Sequence, residues 1–148
     1  AAAEYMLDDG FEQALEVGDM LCFGDRHLLF ECPFSQPYPG MRELLFRLEL
    51  NGYRPVMAHP ERYPYWHRER QRLVELHESG VLFQVNILSF AGIYGPAQRR
   101  QAEWLASQGM VDLLGTDLHR PAYEAELSRT LAQPLLVDLA SRVMNAGL

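Results

Sequence analysis

Gly52-Tyr53-Arg54-Pro55-Val56-Met57-Ala58-His59-Pro60-Glu61-Arg62-Tyr63 is the stretch on which the reading of this chain turns. Its glycine stands where a helix should stop, because glycine takes the left-handed C-cap conformation without steric cost. The run from Tyr53 to Ala58 has the length and apolar character of a buried strand. His59 follows at the carboxyl end of that strand, and the proline after it is expected to hold it extended. The same grammar recurs outward. Gly80 precedes the apolar run Val81–Leu88 and Gly109 precedes Met110–Leu114, so the glycine stops are 28 and 29 residues apart. A β/α barrel of ~250 residues uses about 30 residues per unit.

Before Gly52, the residues Met41, Leu44, Leu45 and Leu48 give the i, i+3, i+4, i+7 stripe of a helix packed on a sheet. Ala2–Met6 and Leu28–Cys32 add two more strands, and the tail from Pro121 reads as one or two helices restarted at Pro134. Right-handed crossovers make such a sheet parallel. The expected class is therefore α/β, with about five parallel β/α units. Five units are too few to close a barrel of about seven or eight strands and leave open edges. Either the sheet is open and doubly wound, or the chain is the later part of a longer barrel. In the second case an oligomer, a swapped element or an amino-terminal segment is expected to cover the edges.

The 148 residues are one domain's worth, 48% hydrophobic and 22% charged. A net charge of −7 speaks against nucleic acid, which demands clustered cations, and lysine is absent, so all 13 basic side chains are arginine. No apolar run has the ~20 residues of a membrane span. Cys22 and Cys32 have neither metal-binding nor disulfide-framework spacing, which points to a reduced, cytoplasmic setting. Cys32 is expected to be a buried structural thiol.

Polar residues with metal-binding chemistry stand at the ends of the apolar runs. Glu31 follows Leu28-Leu29-Phe30, His59 follows Val56-Met57-Ala58, and Asp117 and His119 follow Leu113-Leu114-Gly115-Thr116. Carboxylates and imidazoles at the carboxyl ends of parallel strands converge on one rim and suit a divalent cation. Period two puts Glu31 on the face of Leu29, and His59 on the face of Met57, in the same phase of each unit. Arg62 is the group to neutralise a phosphate, its plainer role being an ion pair with Glu61 or Glu69. Gln84 and Asn86 either satisfy neighbouring loops or support the ligands. His27, His67 and His77 read as one loop and two helix-surface residues, and Tyr63 and Tyr65 as packing or pocket mouth. The sequence has no phosphate-binding glycine loop, no Gly-x-Ser-x-Gly elbow and no Cys-x5-Arg loop.

Ala1-Ala2-Ala3-Glu4-Tyr5, Phe30-Glu31, Ala58-His59-Pro60-Glu61-Arg62-Tyr63, Phe83-Gln84-Val85-Asn86 and Gly115-Thr116-Asp117-Leu118-His119 resemble the bacterial PHP-type protein-tyrosine phosphatases. The resemblance runs from Ala1 to about Arg120. It implies a distorted (β/α)7 barrel, a trinuclear centre of Mn2+ (or Fe, Zn or Mg), and a metal-activated water as nucleophile. Carried over, Glu31 bridges two metals, His59, Asp117 and His119 each bind metal, Arg62 holds the phosphate, and Arg120 stands nearest to a second arginine. The implied substrate is a phosphotyrosine protein, a bacterial tyrosine autokinase of capsule or exopolysaccharide synthesis. A PHP phosphoesterase for a small monoester such as histidinol phosphate, and a non-catalytic oligomerising remnant, stay open beside it. The family's opening His-x-His is absent from these residues. The expectation is accordingly the carboxy-terminal part of one such domain, spanning residues 1–148, with an incomplete metal site and no activity by itself.

Overall fold

A computed structural model describes residues 3–18, 20–116 and 123–143. Five parallel strands lie side by side in sequence order, β1 (Glu4–Met6), β2 (His27–Glu31), β3 (Arg54–Ala58), β4 (Leu82–Asn86) and β5 (Leu113–Gly115). Helices α1 (Asp9–Val17), α2 (Met41–Leu50), α3 (Arg70–Glu78), α4 (Ile87–Phe90), α5 (Pro96–Ser107), α6 (Glu124–Leu131) and α7 (Pro134–Arg142) alternate with or follow them. Two 3-10 turns, Pro60–Arg62 and Pro64–His67, fill the connection after β3. The glycine stops behave as their spacing implied: Gly52, Gly80 and Gly109 have φ of 78°, 102° and 70°. The tail divides into two helices, the second starting at Pro134.

The expected strand 81–88 is shorter than its apolar run. β4 ends at Asn86, and Ile87–Phe90 turn into α4, all four of them buried. A continuous apolar run marks burial, and burial alone does not distinguish a strand from a short buried helix.

Register divides the sheet into two unlike faces. Tyr5 pairs with Phe30, Phe30 with Met57, and Met57 with Phe83. Phe30, Met57 and Phe83 join Leu28 and Val85 in the core that Leu44, Leu45, Leu48, Leu73, Leu76, Ala102 and Leu105 cover from the helices. On the opposite face, Glu4 pairs with Leu29, Met6 with Glu31, Ala58 with Gln84, and Asn86 with Gly115. The polar side chains of the strands thus collect on the face away from the helices. There they are free of the apolar core, where an unpaired carboxylate would be costly.

Two histidines are more deeply built in than a surface reading allows. His27 begins β2, is 1% exposed and stacks on Phe23 with ring centroids 5.4 Å apart. His77, on α3, places Nε2 3.0 Å from Asp112 Oδ2, which also accepts the Phe83 N–H at 2.8 Å. That carboxylate ties α3 to β4 just before β5. Cys32 is fully buried, as expected, and burial pushes its thiol up to about 12.

Candidate metal centre

β2 and β3 end beside each other, and one residue joins their ends. Tyr63 is 0% exposed; its hydroxyl accepts the Cys32 N–H at 2.8 Å and donates to the Ala58 carbonyl at 3.2 Å. Burial pushes that phenol well above its ordinary range, so it stays a neutral bridge. Tyr63 is therefore core, and it fixes the residues that precede His59 and follow Glu31. Tyr65 donates to the Pro33 carbonyl at 3.0 Å, tying the loop after β2 to the same cluster.

His59 is not extended. It has φ 38° and ψ 57°, in the left-handed region, despite the proline that follows. Its N–H donates to the Gln84 carbonyl at 2.8 Å, and its own carbonyl accepts the Arg62 N–H at 2.9 Å, closing the 3-10 turn. This backbone twist corrects the expected strand phase. The pairing of Phe30 with Met57 puts Met57 on the face opposite Glu31, so a continued strand would aim His59 away from it. The left-handed residue turns the imidazole onto the carboxylate face. Such a conformation costs a non-glycine residue about 1–3 kcal/mol and is retained at sites that use it.

The turn is held from inside by Glu61, which is fully buried. Its Oε1 accepts the Asn86 N–H at 3.1 Å and the Ser89 hydroxyl at 2.6 Å, while its backbone carbonyl lies 2.7 Å from His67 Nε2. Burial raises the carboxyl above its usual range. Glu61 thus anchors the turn to the β4–α4 junction and is not the surface partner of Arg62.

Glu4, Glu31 and His59 come together as a donor set whose ligand atoms all lie within 4.8 Å of one another. His59 Nε2 is 3.3 Å from Glu4 Oε1 and 3.6 Å from Glu31 Oε2, both longer than a good N–H···O bond. The residues fit a divalent cation. Two carboxylates that close repel each other, and His59 turns Nε2 toward both of them, which leaves a cation as the group that reconciles the three. Carboxylate oxygen with imidazole nitrogen is also the donor mixture of such ions.

Of the residues expected from sequence, Glu31 and His59 are brought together, and Asp117, His119 and Arg120 lie outside the described residues. Glu4 was missed as a ligand. Its signal was slight, a lone carboxylate on a three-residue strand, and only the register beside β2 brings it to Glu31.

Arg62 leaves the same turn with its guanidinium carbon 4.5 Å from the ring centre of Tyr94 and 5.4 Å from that of Phe34. Phe34 in turn stacks on the His59 ring, 5.8 Å away and inclined by 18°. Neither aromatic partner was legible in the sequence, because each comes from a different loop.

The chain is similar to the tyrosine-protein phosphatase YwqE of Bacillus subtilis (strain 168), with 31% identity over 109 residues, which are 73% of this chain and 43% of the relative. It is similar to the putative tyrosine-protein phosphatase CapC of Staphylococcus aureus, with 29% identity over 94 residues, 64% of this chain and 37% of that one. The chain thus spans less than half the length of these curated relatives. The fold matches a crystal structure from work on YwqE of Bacillus subtilis and CpsB of Streptococcus pneumoniae, described as unique metal-dependent tyrosine phosphatases. That match has a TM-score of 0.79 at 26% identity and covers 95% of this chain and 60% of that one. The family model for capsular polysaccharide synthesis, CpsB/CapC, matches residues 1–130, and the chain belongs to that family.

Proposed function

We propose that the protein is a metal-dependent phosphatase that hydrolyses phosphotyrosine on a protein of capsular or exopolysaccharide synthesis, a bacterial tyrosine autokinase, in the cytoplasm. The observation that carries this reading is the Glu4–Glu31–His59 donor set with Arg62 rising from the same turn as His59. Among the described residues no helix is long and apolar enough to cross a membrane. Similarity to tyrosine phosphatases over most of the chain supports the substrate class. The five-stranded sheet is read as a sector of a PHP-type (β/α)7 barrel.

A divalent cation, Mn2+ in this reading, supplies Lewis-acid stabilisation and a water of lowered pKa when bound. The chain's own residues do the rest. Glu4, Glu31 and His59 hold the ion on the polar face, with Asp117 and His119 as further ligands. Tyr63 keeps the ends of β2 and β3 in register, so that Glu31 and His59 face each other. Arg62 binds the non-bridging phosphoryl oxygens, with Arg120 as a second cation. Charge-assisted contacts of this kind strengthen as negative charge develops on the phosphoryl group.

The test is hydrolysis of a phosphotyrosine peptide by the full-length protein loaded with Mn2+. His59→Ala should lose both metal and turnover, whereas Arg62→Ala should keep its metal content and lose phosphate affinity about 10- to 100-fold. Equal turnover by metal-stripped protein refutes the reading. So does a kcat/KM for histidinol phosphate matching that for the peptide.

A further inference from the structure

Phe34 is 44% exposed, beside a set of charged and metal-binding groups. Single exposed apolar residues are common on protein surfaces. What sets Phe34 apart is its contacts. One ring touches the imidazole of a metal-binding residue at 5.8 Å and lies 5.4 Å from the guanidinium carbon of Arg62. It also packs on Tyr63 at 5.2 Å, so its position is fixed by the same residue that joins β2 to β3. Tyr94 borders the guanidinium at 4.5 Å.

We infer that Phe34 is a specificity-determining residue that selects aryl over alkyl phosphate esters. The inference rests on the phosphatase reading above. Because Phe34 contacts both Arg62 and His59, a phosphoryl group held between those two would have that ring along its flank, within reach of the ester substituent. An aryl substituent offers a face or an edge to Phe34. Aromatic pairs are favourable at centroid separations of about 4.5–7 Å, beyond what buried area alone supplies. An alkyl chain offers no such partner. Tyr63, also near, is 0% exposed and has no surface left to present. Tyr94 is half-buried and borders the guanidinium, whereas Phe34 is exposed and stacks on His59 as well, which assigns the selecting ring to the loop after β2 and the phosphate-holding group to the turn after β3.

Calorimetric titration of the metal-loaded, full-length protein with phenylphosphonate and methylphosphonate tests this without turnover. Wild type should bind phenylphosphonate more tightly, and Phe34→Leu should lower the ratio of the two affinities about two- to tenfold. Phe34→Trp should hold or raise that ratio, and it decides the matter alone if Phe34→Leu does not fold. A ratio unchanged in Phe34→Leu, or reduced in Phe34→Trp, overturns the inference and leaves the phosphatase reading standing. Failure of wild type to bind either phosphonate overturns both.

Discussion

Replacing Glu61 separates an anchoring carboxyl from an ordinary helix-turn residue. The side chain is fully buried, and one oxygen serves two donors, the Asn86 N–H at 3.1 Å and the Ser89 hydroxyl at 2.6 Å. Glu61→Ala strands both donors away from water, at about 1–3 kcal/mol each. Removing Oε2, which has no hydrogen-bond partner among the described residues, returns part of that. The net expected loss is about 2–4 kcal/mol, a large share of the roughly 5–15 kcal/mol that holds a domain folded. Glu61→Gln keeps an acceptor oxygen in place and should cost about 1 kcal/mol or less. Equilibrium unfolding in urea reads the difference. With a slope of about 1–3 kcal/mol per molar, Glu61→Ala should shift the midpoint down by about 0.7–4 M and Glu61→Gln, at the same slope, by less than half as much. Equal midpoints for the two variants, or an alanine variant as stable as wild type, would refute the anchoring role.

Tyr63→Phe leaves the Cys32 N–H and the Ala58 carbonyl without their shared hydroxyl, and should cost about 2–3 kcal/mol in the same urea assay. Glu4→Ala should reduce divalent metal affinity at least as far as Glu31→Ala does, measured by metal content after dialysis; full retention of metal removes Glu4 from the donor set. His27 bears on acid stability. Burial, and then Arg54, lowers its pKa below the ordinary value, so its unfolded form binds protons more readily. Its contribution is present above the unfolded pKa of about 6.5 and is lost as pH falls toward the folded value. His27 is buried and stacks on Phe23, so His27→Phe should flatten that acid limb with the fold kept; a thermal-unfolding profile against pH that is unchanged contradicts this.

The order of elements was legible because its causes are local. Glycine stops at left-handed positions, apolar runs of strand length and the Leu44–Leu48 helix stripe are each properties of a short window of chain, and right-handed crossovers turn that order into parallel neighbours. Glu31 and His59 were legible for the same reason, as polar residues closing apolar strands. The junction of β4 and α4 marks the limit, since burial continues across Asn86 while the backbone changes from strand to helix.

The site's geometry belonged to the tertiary structure. Period-two phase holds only while the backbone is extended, and His59 departs from it with a φ of 38°, which reverses the face that counting residues assigns. That departure is sustained by groups distant in sequence: the Gln84 carbonyl, the Asn86 N–H and Ser89 through Glu61, and the Cys32 N–H through Tyr63. Glu4 enters the donor set through strand register, and Phe34 and Tyr94 flank Arg62 through loop packing. The sequence alone determined which chemical groups stand at the strand ends. Packing decided which of them face one another, because an unusual backbone angle at one residue is stable only when distant partners enforce it.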